Sequence, residues 1–364
     1  MEKRTGVPEG AQAPADAAGA QAPTASGVPG AAEPAADAAR GIPALPPEAP
    51  VFLFSGQGAQ KPGMGADVAD VPEVARALAC ASDVFGFDVA ALMAHADERE
   101  LSDTRHAQPA LCALSVGLAR ALMARGVAPS AVLGFSLGQV SALAISGMLS
   151  DEATFALAKA RSELMAQAAE ERPGGMSALL KADAESVQAL CAEQAQGDVL
   201  VPANYNCPGQ VVVAGTQAAL ARAEAAWEAQ GGRFSRLATS GAFHSPLMAS
   251  AAEGLRAYLE GVEFAPAEIP LVCNVDARPL EPEQARDHLV RHLTSPVLFQ
   301  QSVLALAAAG ARTFAEVGFG GVLASLVRRI DRGAARACIQ DRASLEAFCA
   351  EHAASRAPQG AQGE

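Results

Sequence analysis

Gly134-Phe135-Ser136-Leu137-Gly138 is the stretch on which the reading of this chain turns. An apolar run, Ala131-Val132-Leu133, leads in, and a helix-like segment from Leu137 to Ile145, closed by Gly147, leads out. A serine with glycine two residues to either side, between a strand and a helix, is the pattern of a nucleophile elbow. The turn is too sharp for side chains at the flanking positions. It lifts the hydroxyl clear of the sheet edge and sets it before a helix start with free N–H groups and a positive dipole end. An ordinary Gly-Ser turn would be written with the same letters, so the stretch needs partners elsewhere in the chain.

The segments around the elbow predict an α/β fold. Val51–Phe54 reads as a short buried strand ended by Ser55-Gly56-Gln57-Gly58, and apolar periodicity of helical type follows through 72–84 and 109–124. Pro109 suits a first helical turn. A helix from Asp151 to about Ala169 comes after the elbow, capped by Ser150 or Asp151. Pro173-Gly174-Gly175 then breaks the rhythm. From there to Thr239 the pattern gives a strand (176–181), a helix (184–195), two strands split by Asn206-Cys207-Pro208-Gly209, a helix (217–229) and a strand (233–238). That βαββαβ order is a ferredoxin-like unit inserted into the larger fold. The α/β rhythm resumes with a strand at 270–275, helices near 282–293 and 299–309, a strand at 312–317 and a helix at 321–330. The expected division is a catalytic domain over 49–172 and 239–340, a subdomain over 173–238, an unstructured Ala/Pro/Gly-rich arm over 1–48 and a flexible tail over 351–364.

Composition narrows the function classes. Of 364 residues half are apolar, enough for a sizeable core. The seven cysteines are scattered, odd in number and form no C-x-x-C pair, which argues against a disulfide framework or a zinc ribbon and for a reducing cytoplasm. A net charge of −13 makes nucleic acid an unsuitable partner. No apolar run approaches the roughly 20 residues of a membrane span. The arm has neither the continuous apolar core of a signal peptide nor the acid-poor composition of a transit peptide.

A serine nucleophile needs a base. Of the six histidines, His352 falls in the tail and His95 in a charged stretch. His288 and His292 share a helix face, but Leu289 stands where a zincin would have glutamate, so both read as solvated. His244, in the loop Ser240-Gly241-Ala242-Phe243-His244-Ser245-Pro246 between the inserted unit and a helix, is either the base or a helix-capping residue. Arg161 is sharper. Its helical neighbours Leu157, Ala158, Leu164 and Met165 are all apolar, so it projects from the face that should be buried. A buried guanidinium cannot shed its charge and needs an anion, either a protein carboxylate or a substrate carboxylate or phosphate. The Gly56-Gln57-Gly58 loop is either a phosphate loop or a donor to an oxyanion hole.

Taken in order, Phe54-Ser55-Gly56-Gln57-Gly58-Ala59-Gln60, Gln108-Pro109-Ala110-Leu111, the elbow, Arg161 before Met165, Asn204-Tyr205-Asn206-Cys207-Pro208-Gly209-Gln210, Gly241-Ala242-Phe243-His244-Ser245-Pro246 and Glu316-Val317-Gly318 resemble the malonyl-CoA:acyl carrier protein transacylase family of fatty-acid and polyketide synthesis. The resemblance runs from about Val51 to Ile330. It implies an α/β-hydrolase-like large domain with an inserted ferredoxin-like subdomain. Ser136 is then the acylated nucleophile and His244 its base, working as a dyad. The N–H groups of Gln57 and Leu137 form the oxyanion hole, and Arg161 pairs with the malonyl carboxylate. Gln108 and Asn206 line the cleft, and the carbonyl of Leu298 orients the histidine.

On this reading malonyl-CoA and a holo-acyl carrier protein are the partners, no metal or cofactor is needed, and the enzyme is a cytoplasmic monomer. Arg328, Arg329, Arg332 and Arg336, or Arg233 and Arg236, are candidate contacts for an acidic carrier protein. The same chemistry would serve fatty-acid synthesis or, in trans, a polyketide synthase. A serine thioesterase or hydrolase on the same elbow and a non-catalytic carrier-protein-binding module are the rivals. The family usually writes the elbow Gly-His-Ser-Leu-Gly-Glu, Pro-Val-Gln-Trp where this chain has Pro296-Val297-Leu298-Phe299, and Gly-Pro-Gly-Lys at Gly318-Phe319-Gly320-Gly321. Phe135, Gln139 and Phe319 are therefore where rate or acyl choice should differ.

Overall fold

Val51-Phe52-Leu53-Phe54 is buried along its whole length, as a strand covered on both faces of a parallel sheet must be. The computed structural model describes residues 39–354, and in it this segment is strand β1, the middle of a five-stranded sheet. The chain leaves β1 (Val51–Phe54) through a loop to helices α1 (Pro72–Phe85), α2 (Val89–His95), α3 (Glu98–Ser102) and α4 (Thr104–Ala124). It re-enters the sheet at β2 (Ala131–Gly134) and continues through α5 (Leu137–Ile145) and α6 (Asp151–Glu171). The inserted unit follows as β3 (Gly175–Ala182), α7 (Ala184–Ala195), β4 (Leu200–Cys207), β5 (Gly209–Gly215), α8 (Gln217–Ala229) and β6 (Arg233–Arg236). The large domain then resumes with a 3₁₀ turn at Pro246–Met248, α9 (Ala249–Leu259), β7 (Leu271–Val272), α10 (Pro282–His292), α11 (Phe299–Ala308), β8 (Thr313–Val317), α12 (Val322–Ile330), β9 (Ala335–Ile339) and α13 (Arg342–Ala354).

The large sheet is parallel, in the order β7-β2-β1-β8-β9. The chain leaves β1 for β2 on one side, and leaves the adjacent β8 for β9 on the other. That is a topological switch point, where loops at the carboxyl ends of adjacent strands part and leave a crevice. The small sheet is antiparallel, β4-β5-β3-β6, with α7 and α8 as its βαββαβ crossovers. The small sheet is tied to the large domain through the segment before α11, since Tyr205 N–H donates to the Val297 carbonyl and Val297 N–H to that of Ala203, both at 2.9 Å.

Several expectations need correction. The helix expected from Pro109 begins at Thr104, where the Asp103 side chain accepts from Arg105 N–H, so Pro109 lies inside it. Burial of almost the whole of α4 outweighs the intrahelical bond that proline forgoes. By length and composition α4 could cross a membrane, but 83 % of its apolar window is buried inside the fold. The strand at 270–275 shrinks to two residues, because the chain turns at Cys273 to build part of the site. β9 and α13 went unread, and α13 takes in the expected start of the tail and His352. The arm is also shorter than 48 residues. Ile42 and Leu45 are buried, and Leu45 N–H donates to the Ala309 carbonyl at 2.8 Å. The rest of the expected arm and tail lies outside the described residues.

Candidate active site

The elbow is forced by its glycines. A Cβ on Gly134 would stand 1.9 Å from Gln139 N, and one on Gly138 would stand 1.9 Å from the Phe54 carbonyl oxygen. Neither position tolerates a side chain. Between them Ser136 takes φ 53° and ψ −106°, an unfavourable backbone for any residue but glycine. The turn places the Ser136 hydroxyl 2.7 Å from His244 Nε2. His244 itself has φ 60°, so both members of the pair are held in strained backbone.

The tautomer of His244 follows from its contacts. Nδ1 lies 2.8 Å from the carbonyl of His292, the last residue of α10, and must donate to it. Nε2 is then the lone-pair nitrogen facing the serine, as a base requires. Burial and the nearby Arg161 charge push His244 down to about 4, against hydrogen bonds to the carbonyls of His292 and Ser295. The carbonyl expected at Leu298 plays no part in this. It accepts from Ser302, and the orienting carbonyl comes from His292. His292 and His288 are not solvated either, with 1 % and 7 % exposure. The His292 ring packs against that of His244 at 5.1 Å, and its burial holds it neutral.

Arg161 is 3 % exposed on α6, as its apolar neighbours require. Its Nη1 donates to Gln108 Oε1 at 2.7 Å and its Nη2 to the Ser136 hydroxyl oxygen at 3.2 Å. Among the described residues no carboxylate lies within ion-pair reach of it. Burial alone brings the guanidinium down to about 10. Of the two anions open to the sequence, the fixed protein carboxylate is thus absent from the described residues.

The loop after β1 runs beside the elbow, and a Cβ on Gly56 would meet the Phe135 carbonyl oxygen at 2.6 Å. No acceptor among the described residues takes the N–H of Gln57 or Leu137. Both donors are therefore free beside the Ser136 hydroxyl, as an oxyanion hole would require. The loop is anchored by Ser55, whose hydroxyl donates to Glu316 Oε1 at 2.7 Å, while Glu316 Oε2 accepts from Ala324 N–H at the start of α12. These groups open into a cleft of about 380 Å³ walled on one side by the small sheet, through Asn206, Gln210 and Met176, and on the other by Val322, Leu323 and Leu326 of α12. Gln108 stands behind Arg161 instead of on the wall.

Asn274 escaped the sequence reading. Its side chain accepts from Ser136 N–H at 2.8 Å and donates to the Gly134 carbonyl at 2.7 Å. A lone asparagine after a short apolar run carries no signal of this. The two substituted elbow positions also acquire partners. Phe135 packs edge-on against Phe299 with ring centroids 5.4 Å apart, and Gln139 is buried, accepting from Asn274 N–H at 2.7 Å. Among the described residues Cys273, Asp276 and His288 form the one cluster with metal-ligand spacing, and it lies outside the cleft lining.

Residues 51–341 match the acyl transferase domain family. The malonyl CoA-acyl carrier protein transacylase of Salmonella typhimurium is 39 % identical over 81 % of this chain and 97 % of its own length. That of Bacillus subtilis is 35 % identical over 81 % and 94 %. Among solved structures, a type II polyketide synthase acyl carrier protein in complex with its malonyl-transacylase matches with TM-score 0.81 and 39 % identity, over 83 % of this chain and 99 % of that one. The corresponding enzyme of Streptococcus pneumoniae matches with TM-score 0.79 and 39 % identity, over the same shares. With elbow, buried arginine and cleft in place, these similarities show that the chain belongs to the malonyl-CoA:acyl carrier protein transacylase family.

Proposed function

We propose that this acyltransferase moves a malonyl group from malonyl-CoA to the phosphopantetheine thiol of a holo-acyl carrier protein through an ester on Ser136, as a supply step of fatty-acid synthesis. The observation that carries it is Arg161, a buried cation with no carboxylate in reach among the described residues and one N–H already on the Ser136 hydroxyl. An acyl group ending in a carboxylate supplies the anion this site is missing.

The chemistry follows from the contacts. His244 Nε2 takes the hydroxyl proton as Ser136 Oγ attacks the thioester carbonyl, whose oxygen turns to the N–H groups of Gln57 and Leu137. The tetrahedral adduct collapses, the C–S bond breaks, and His244 returns the proton to the departing CoA thiolate. The carrier-protein thiol then repeats the sequence in reverse, and Ser136 recovers its proton. Thioester becomes ester and then thioester again, so the site needs no metal or redox group.

The proposed working unit is a monomer, since Ser136, His244 and Arg161 already meet within a single protomer. The seven cysteines, all free, are consistent with a reducing cytoplasm. For the carrier protein, α12 is the better-supported contact. Its Val322, Leu323 and Leu326 line the cleft mouth, and Arg328 and Arg332 beyond them are exposed. Arg236 is already held by Glu224 and Gln217. Incubation with malonyl-CoA followed by intact-protein mass measurement tests the proposal. A malonyl adduct on Ser136 that persists in water and discharges on adding holo-carrier protein is expected. Steady release of free malonate would identify a hydrolase instead, and no adduct at all a binding module.

A further inference from the structure

The turn from Cys273 to Arg278 touches both members of the dyad's supports. It closes on itself through Cys273 N–H to the Arg278 carbonyl at 2.8 Å and Ala277 N–H to the Cys273 carbonyl at 3.0 Å. Every polar group of Asn274 at its head is used. The side chain grips the Ser136 N–H and the Gly134 carbonyl, the backbone N–H donates to Gln139, and the carbonyl accepts from Leu298 N–H at 2.9 Å. By accepting the Ser136 N–H, Asn274 also keeps that donor out of the oxyanion hole and secures a backbone conformation that would otherwise relax. On the far side of the same turn Asp276 Oδ2 lies 3.0 Å from His288 Nε2. His288 Nδ1 is 3.0 Å from the Gln284 carbonyl. Both ring nitrogens face only acceptors, so an imidazolium satisfies both at once. His288 sits one helical turn before His292, whose carbonyl holds His244.

We propose that this turn registers the nucleophile against the base: Asn274 is a positioning residue for Ser136, and the Asp276–His288 pair fastens the same turn to the helix that orients His244. Among the described residues it is the one side-chain ion pair that either residue makes, and it bridges two elements that otherwise meet the dyad separately. A shift of the turn relative to α10 would lengthen the 2.7 Å contact between serine and histidine without altering the cleft wall that binds the acyl group. The inference rests on the reading of Ser136 and His244 as nucleophile and base.

A neutral fluorophosphonate that phosphonylates an activated serine reads the dyad without needing malonyl-CoA. Labelling rates are compared for the wild-type chain, Asn274→Ala, Asp276→Ala, Asp276→Asn, His288→Ala and the Asp276→Ala/His288→Ala double variant, alongside the dissociation constant of malonyl-CoA and the melting temperature. Asn274→Ala is expected to label about 100-fold more slowly with malonyl-CoA affinity nearly unchanged, since misplacing a reacting atom by an ångström costs about that much. Asp276→Ala and His288→Ala should each lose about tenfold, and the double variant no more than either single, because one link is broken in all three. Asp276→Asn, which keeps an oxygen for His288, should recover part of the rate. Folded Asn274→Ala at the wild-type labelling rate overturns the proposal. If that variant does not fold, losses that multiply in the double variant, or affinity falling in step with rate, overturn it equally. A wild-type chain that fails to label defeats the underlying dyad reading instead.

Discussion

At the scale of single residues, His244 carries the pH behaviour. Its pKa is depressed to about 4 by burial and by the Arg161 charge, so the proposed base is already neutral well below pH 6.5. Phosphonylation of Ser136 by a neutral probe should therefore hold its rate down to about pH 5 and fall only below that. Removing the Arg161 charge should move the acidic limb upward, because that charge is one of the two causes of the depression. The same shift acts on stability. Between the folded and the ordinary value the unfolded chain binds the extra proton, so stability present above pH 6.5 is lost as pH falls toward 4. For His244 alone this amounts to about 3 kcal/mol. Urea unfolding midpoints from pH 7 to 4 should show the decline, and a flat profile would contradict it. Arg161 was legible in sequence because a charge on an apolar helix face is a contradiction that only a ligand or an ion pair resolves. Asn274 and the His292 carbonyl were not, because a backbone acceptor has no letter and an asparagine in a turn is ordinary.

At the scale of elements, the strand–turn–helix of the elbow was readable because two glycines are sterically compulsory there. Gly138→Ala would drive a methyl into the Phe54 carbonyl, and backbone on both sides leaves nothing to yield. A loss of several kcal/mol is expected, on the order of 3 or more, seen as a lowered melting temperature or failure to fold. Glu316 shows the opposite kind of element-level device. Its carboxylate is fully buried, yet it receives the Ser55 hydroxyl and the first N–H groups of α12. Burial raises its pKa, and those donors oppose the rise. Glu316→Ala should leave these donors unpaired, cost about 2 kcal/mol and slow acylation through the Gln57 loop, as single-turnover rates would show. The departures at Phe135 and Phe299 looked independent in sequence. They are one ring pair in space, which is why neither could be interpreted alone.

At the scale of the whole molecule, the order of strands and helices announced a parallel sheet interrupted by a ferredoxin-like unit, and the two sheets of the structure have that arrangement. What periodicity could not show was how the ends close. β9 is five residues long and largely exposed, α13 turns few large apolar residues inward beyond Leu345 and Phe348, and Ile42 and Leu45 are two apolar residues in an otherwise Pro- and Ala-rich stretch. The packing of Ile42 and Leu45 in one buried cluster with Val303, Leu306 and Phe314 was invisible without the groove that receives them. Leu45→Asp should lower the melting temperature by burying an unpaired carboxylate, with the dyad's labelling rate unaffected at low temperature.

In the proposed mechanism the cleft beside the small sheet selects the acyl group, and Arg161 is the one cation among the residues that line it. The most direct measurement is competition between malonyl-CoA and acetyl-CoA for Ser136, read by intact mass in the wild-type chain and in Arg161→Ala. The wild type should take malonyl over acetyl by a large margin. Arg161→Ala should lose about 100-fold in malonylation, the scale of removing one partner of a buried charge pair, while acetylation changes little. Unchanged malonyl preference in a folded Arg161→Ala protein would contradict the account.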